Sequence, residues 1–445
     1  MTIAEYREVC MKKFLEKEEK LKERAEQNIE KYRKGTHTLR LLGKDGQPIA
    51  SAQVRVKQQS HDFKYGANLF MLDEFEDPVT NARYREQFAQ YFNLGTVPFY
   101  WSGIEPEEGK LRYAADSPKV YRRPAPDLCV KYCEENGILP KLHCLFYDKI
   151  VPKWLTEKNR ETVWNLYEKR FADIAQRYSG RMYEFEVTNE LISTYMWTTC
   201  TKLAYEKDID IQMWEMGRRY FPQEKLVIND SFPADVGMYS YRSPYFLMID
   251  NLLRKGASVD KIGIQNHIFC GVSGDQEADL KGEIKHLDPD LVIHGLDVLS
   301  SFGKPLEITE VTIPTFGDSL EAEQLQADIL RVLYTIYFAT PLMESVVYWN
   351  LADQTAVTEP GWDENACRGG LFHFDMTPKL AALEHKRLFE QEWHTDLELT
   401  TDDRGCVTFR GFYGNYVAEL GNESFQFGIH KGDLSQTNCS ILRGE

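Results

Sequence analysis

YEFEVTNE, residues 183–190, sets apolar and β-prone residues in a short run and then stops on Asn189 and Glu190. A run of this length, bounded by polar groups, reads as a buried strand. Seven further runs share its form: FKYGANLF (63–70), FNLGTVPFY (92–100), ILPKLHCLF (138–146), KLVINDS (225–231), KIGIQNHI (261–268), PLEITEV (305–311) and SVVYWNL (345–351). Each is followed by enough chain for a helix. Strand–helix alternation implies parallel strands joined by right-handed crossovers, and eight such units close a (β/α)8 TIM barrel. An open doubly wound sheet is the competing arrangement, but no glycine-rich phosphate loop follows the first run. The fold class expected is therefore α/β, a (β/α)8 barrel, with a small accessory β module.

The flanks supply that module. Residues 3–34 read as one long polar helix with Glu and Lys at i,i+4 spacing. THTLRLLG, KDGQP and SAQVRVKQQ then read as a β-hairpin turned at Asp-Gly. Near the other end, LELTTDDRGCVTFRGFYGNYVAEL reads as strand, turn and strand with DDRG as the reversal, and FQFGIH adds another strand. Neither end can bury a face alone, so the two are expected to pack together. The boundaries expected are 1–60 for the N-terminal helix and hairpin, 61–392 for the catalytic barrel, and 393–445 for the C-terminal strands.

Composition narrows the partners. The formal net charge of −16 would repel phosphate backbones, and no basic arm is present, so nucleic acid is not expected. No apolar run reaches the roughly 18–20 residues that span a bilayer, so no membrane partner is expected. The N-terminal residues lack the apolar stretch of a signal peptide, which suggests a cytoplasmic location. Nine cysteines without regular spacing fit a reducing compartment, and Cys129 and Cys133 read as core thiols. Aromatic residues make up 13% of the chain, which suits stacking on the C–H faces of sugars.

In a (β/α)8 barrel the chemistry lies at the C-terminal strand ends. Those ends carry His143, then Asn189 and Glu190, Asn229 and Asp230, Gln265 and His267, Glu310, and Trp349 with Asn350. Each alone reads equally well as a helix cap or a satisfied buried group. Together they read as a site. Glu190 and Glu310 end the fourth and seventh runs, which face one another across a barrel mouth. Two facing carboxyl groups roughly 5–5.5 Å apart suit glycoside hydrolysis with retention. Asn189 is placed to meet a sugar 2-hydroxyl, and His267 to orient the Glu310 carboxylate. His143 and His267 are too few nitrogen ligands for a metal-dependent hydrolase, so no metal and no cofactor are expected.

The chain resembles glycoside hydrolase family 10, the endo-β-1,4-xylanases, over roughly residues 60–390. The pieces that carry the resemblance are IEPEEGKLRY (104–113), EVTNEL (186–191), LVINDSF (226–232), IGIQNHI (262–268), EITEV (307–311) and GLFHFDMTPKLAA (370–382). It implies Glu190 as general acid/base, Glu310 as nucleophile, Asn189 beside the acid/base, and Gln265 with His267 as the polar pair near the nucleophile. It implies His143 as a substrate contact, Trp349 as the floor under the scissile sugar, and Asp230 with Asn229 as supporting groups. The family's TxENxMKW segment is shortened here to Thr96-VPFY-Trp101. Its Trp-His after the third run is Phe146-Tyr147, and its Glu-x-Asp is Glu310-Val-Thr312. Tyr100, Tyr147 and Trp101 thus stand where substrate contacts are expected. The function expected is retaining cleavage of β-glycosidic bonds in xylan-derived or related oligosaccharides. A β-glycosidase for a non-xylan or apolar-aglycone glycoside and a non-catalytic carbohydrate-binding barrel are the alternatives; oligomeric state is left open.

Overall fold

Every apolar run becomes a barrel strand. The computed structural model describes residues 1–43 and 45–432, with the backbone of 439–443. The barrel strands are β1 (Lys64–Asn68), β2 (Leu94–Pro98), β3 (Leu139–His143), β4 (Glu184–Asn189), β5 (Leu226–Asp230), β6 (Lys261–His267), β7 (Leu306–Thr312) and β8 (Met343–Tyr348). They are hydrogen-bonded in chain order and β8 closes on β1, so the expected barrel is present. Helices at 78–91, 126–136, 160–178, 209–220, 244–254, 289–300 and 320–339 connect them. Caps fix their starts: Asp77 accepts from the Val79 and Thr80 amides at 3.2 and 3.0 Å ahead of Pro78.

Inside the barrel, below the mouth, charge replaces the usual aliphatic packing. Lys141 Nζ lies 2.6 Å from Glu307 and 3.2 Å from Glu184. Lys261 Nζ lies 2.8 Å from each of the same two carboxylates and 3.1 Å from Glu344. Burial opposes charge on Glu307, but Lys141 and Lys261 hold its carboxyl far below the ordinary range. Losing one partner of such a cluster leaves an uncompensated buried charge.

The chain divides into two compact units, Met1–Glu16 with Tyr65–Ala382, and Lys17–Lys64 with Leu383–Glu445. The N-terminal helix expected over 3–34 is two helices, Ile3–Leu15 and Glu18–Tyr32. The first is not wholly polar. Tyr6, Cys10, Met11 and Phe14 fall on one face and are buried, with Tyr6 stacked on Phe316 at 4.5 Å.

The second unit is a two-sheet sandwich, and its pairing differs from the hairpins read in the sequence. Lys34–Leu42 pairs antiparallel with Cys406–Phe412 and parallel with Cys439–Arg443. Gln53–His61 lies in the other sheet, between Asp396–Thr400 and Gly414–Leu420. The Asp-Gly segment reverses the chain only briefly, with Leu42 bridging Pro48 and the Ile49 amide donating to the Leu41 carbonyl at 3.0 Å, before the chain crosses to the other sheet; DDRG likewise leads from one sheet to the other, and Lys44 lies outside the described residues. Packing explains the outcome. Leu39, Leu41, Val407 and Phe409 from one sheet meet Val54, Val56, Tyr416 and Ala418 from the other in one core. A lone hairpin would leave that alternating apolar face wet. Gly414–Leu420 and Glu423–Ile429 do form a local hairpin.

Candidate active site

Two strand irregularities build the barrel mouth. On β4, Glu184 and Glu186 point inward, where Lys141 Nζ is 3.2 and 3.8 Å away. Strict alternation would send Asn189 outward. A register shift against β5 between Glu186 and Thr188 inserts one residue and turns Asn189 inward. Its Oδ1 then accepts from Asn229 Nδ2 at 2.9 Å. β7 repeats the device. Glu307 and Thr309 face in, with Thr309 Oγ1 donating to Asn229 Oδ1 at 2.6 Å, and a shift against β6 brings Glu310 in as well. Glu190 follows β4 in the left-handed region at φ 52°, a conformation that costs a non-glycine residue on the order of 1 kcal/mol.

One donor joins the two carboxylates. Gln265 Nε2 lies 3.2 Å from Glu190 Oε1 and 3.0 Å from Glu310 Oε1. One oxygen of each carboxylate therefore lies within about 6.2 Å of the other, so the two groups face one another across a single narrow gap. Glu310 also accepts from Asn229 Nδ2 at 2.9 Å, and His267 Nε2 is 3.2 Å from its Oε2. His267 Nδ1 is 2.8 Å from Thr312 Oγ1. A Thr312 hydroxyl donating to Nδ1 leaves Nε2–H for Glu310. Asn189 Oδ1 accepts from Asn229 and from Gln265 at 3.3 Å, so its Nδ2 points away from both.

Burial dominates the electrostatics. It pushes Glu310 up to about 8, with Glu190 and Glu186 adding to the rise while His143 opposes it. It pushes His267 down to about 4, so that imidazole is neutral. Burial also favours neutral His143, but Glu186, 2.8 Å from Nδ1, raises it overall. Asp230 rises to about 7 through burial, and its carboxylate accepts from the Ile192 and Ser231 amides at 2.9 and 2.7 Å.

The raised Glu310 makes a stability prediction. Below about pH 4.5 the carboxyl is protonated folded or unfolded; as pH rises toward about 8 only the unfolded chain ionises it freely, so folding stability is lost over that window. Glu310→Gln is expected to raise the melting temperature at pH 8, corresponding to about 2–4 kcal/mol, and to change nothing near pH 4.5. Melts across that range check it; a gain independent of pH would show that the site does not strain Glu310.

The profile of glycosyl hydrolase family 10 matches residues 74–384. The chain belongs to this family. Among curated proteins it is 26% identical over 428 residues to endo-1,4-beta-xylanase 1 of Arabidopsis thaliana, covering 93% of this chain and 40% of that protein. It is 24% identical over 343 residues to endo-1,4-beta-xylanase B of Thermotoga neapolitana, covering 74% and 88%. The chain spans less than half the length of the first three curated relatives it matches. Among solved structures it resembles xylanase 10B from Thermotoga petrophila RKU-1 in complex with xylobiose, with a TM-score of 0.58 and 21% identity over 74% of this chain and 95% of that one.

The wall beside the carboxylates is aromatic, built around Phe70, Tyr100, Tyr147 and Trp349. Tyr147 OH donates to Glu190 Oε2 at 2.5 Å; burial first, and Glu190 next, hold its phenol far above its usual value, so it stays the donor. Tyr100 OH lies 2.8 Å from His143 Nε2, and Trp349 packs edge-on against His143 and Phe70 at 5.3 and 5.0 Å. Trp101 is not brought to the carboxylates. Its Nε1 donates to Glu105 at 2.9 Å and its ring packs on Tyr167 and Trp154. Four neighbours were not singled out from the sequence: Glu186, Thr309, Phe70 and Trp197, whose ring meets Tyr147 edge-on at 5.6 Å. Glu186 had a signal, the Glu-x-Glu alternation of β4, which in a closed barrel puts both carboxyls inside. Among the described residues, the donor atoms of His143, Cys144 and Glu186 gather within 4.8 Å, and the first and last already bond to each other.

Proposed function

We propose that this chain cleaves β-glycosidic bonds in xylan-derived or related oligosaccharides by double displacement, Glu310 as nucleophile and Glu190 as general acid/base. The observation that carries this is the single Gln265 amide bonded to both carboxylates, which keeps them facing across one narrow gap, as direct attack by one and proton donation by the other require. Glu310 attacks the anomeric carbon while Glu190 protonates the departing oxygen. Glu190 then takes a proton from water, and that water releases the sugar with net retention. Attack requires Glu310 ionised while Glu190 carries the proton it gives to the leaving group. Asn229, Gln265 and neutral His267 donate to Glu310 and aim it, and Tyr147 fixes the Glu190 carboxyl. Asn189, its carbonyl held by Asn229 and Gln265, turns Nδ2 toward a sugar 2-hydroxyl. Trp349 is the apolar floor, and Asp230 braces the turn after Glu190 through the Ile192 amide.

The test is hydrolysis of aryl β-xyloside, β-xylobioside, β-glucoside and β-galactoside and of xylotriose, followed by proton NMR. Cleavage of xylobioside or xylotriose with the β anomer appearing first is expected. The α anomer appearing first would overturn the mechanism. The Phe70–Tyr100–Trp349 wall favours a second reading, a glycoside with an apolar aglycone, which cleavage of another aryl glycoside alone would select. No cleavage, with oligosaccharide binding intact, would make the chain a binding barrel.

A further inference from the structure

Behind the aromatic wall lies a cavity of about 510 Å³, whose lining includes Arg122, Arg123, Tyr121, Gln354 and Thr358. That is within the roughly 300–1,000 Å³ usual for small-ligand sites. Two adjacent guanidinium groups line it, and among the described residues neither has a carboxylate within ion-pair distance. In a chain of net charge −16 that is a costly arrangement to leave uncompensated.

Each arginine is held in place by neutral groups. Arg122 is 5% exposed and sits in the left-handed region at φ 61°. Its Nη1 donates to the Thr355 carbonyl and its Nη2 to Asn350 Oδ1 at 3.0 Å, while its Nε is buried with no acceptor. Asn350 in turn donates to Glu364 at 3.0 Å, so the nearest acid acts on Arg122 only through an amide. Arg123 stacks its guanidinium on the Tyr100 ring at 4.3 Å and on Phe70 at 5.2 Å. Its Nη1 donates to the Arg122 carbonyl at 2.8 Å, which leaves its Nε–Nη2 edge for a ligand. A Cβ on Gly103 would sit 2.9 Å from Arg123 Cγ, so the side chain has its path only because residue 103 is glycine. Tyr100 separates this cavity from His143 by one ring.

We propose that this cavity is an anion subsite that takes a carboxylate carried by the glycan, as on a uronic acid residue, with the free edge of Arg123 pairing with it and Arg122 supplying the adjoining positive field. It rests on the hydrolase reading and names a substrate feature for it. A planar guanidinium already stacked on an aromatic ring is pre-organised for bidentate carboxylate binding, and a lysine there would not be equivalent. One carboxylate suits the site, because the rest of an acidic chain repels a polyanion.

The test compares a uronic-acid-bearing xylo-oligosaccharide with its primary amide, which is nearly isosteric and uncharged. Wild-type kcat/KM is expected to favour the acid by about 10- to 100-fold, falling with salt. Arg123→Gln should bring that ratio toward one, and Arg123→Lys should keep only part of it. A wild-type ratio of one would overturn the proposal, as would an unchanged ratio in a folded Arg123→Gln protein. Should Arg123→Gln not fold, Arg123→Lys and the wild-type ratio decide. Should the wild type cleave neither compound, calorimetric titration of both against it separates the claims: tighter binding of the acid keeps the subsite while the hydrolase reading falls, and equal binding removes both.

Discussion

Glu310→Ala is expected to lower kcat on aryl β-xylobioside by on the order of 10⁴- to 10⁶-fold, because in the proposed mechanism it removes the atom that forms the covalent intermediate. Asn229, Gln265 and His267 all bond to Glu310 and hold it in place. The deletion leaves a space against the anomeric carbon. Azide is expected to enter it and restore part of the turnover, giving a glycosyl azide of inverted, α configuration. Chromatography and NMR of the product read this out. A β azide, or activity within tenfold of wild type, would reassign the nucleophile.

Glu190→Ala is expected to cost roughly 10²- to 10⁴-fold, the range of general acid–base catalysis, and the cost should depend on the leaving group. A poor leaving group needs the proton from Glu190, whereas a dinitrophenolate departs without it. Hydrolysis of xylotriose should therefore fall much further than the first turnover of a dinitrophenyl glycoside. With that activated substrate the glycosyl-enzyme should accumulate, and azide should release it as the β azide. The two variants thus give opposite anomers, which a structural defect common to both would not do. Equal losses on good and poor leaving groups would remove Glu190 from the acid role. Tyr147, donating to Glu190 at 2.5 Å, is expected to matter for the same step.

The barrel was legible because eight buried strands repeat one pattern, and burial on both faces writes itself as apolar runs whatever their neighbours. The candidate site was legible for a related reason. A polar residue that ends such a run has few places to go in a closed barrel except the mouth, so Asn189, Glu190, Gln265 and Glu310 could be named in advance. The accessory strands were not legible in the same way. Alternation in 34–42 and 53–61 says that each has one apolar face, and an Asp-Gly pair says that the chain turns between them. Neither says whether the strands meet edge to edge or face to face, and here the face-to-face solution buries more. Trp101 misled for a similar reason. Its indole fits a sugar platform or a packed core equally well, and the neighbours that decide it, Trp154 and Tyr167, lie more than fifty residues along the chain.

By itself, then, the sequence determined the strand count, the parallel order and the residues that end each strand, since these follow from local periodicity and from what can be buried. Which way those end residues point was decided only in three dimensions. Period-2 counting from Glu186 and from Glu307 turns Asn189 and Glu310 away from the barrel axis, and it is the extra residue at Val187 and at Thr309, visible only against the neighbouring strands, that turns them in. The same holds for the arginine pair behind Tyr100. A loop sequence of Tyr-Arg-Arg-Pro carries no sign that two guanidinium groups will sit side by side with, among the described residues, no carboxylate in reach, because that depends on Asn350, Thr355 and Phe70 arriving from elsewhere in the chain.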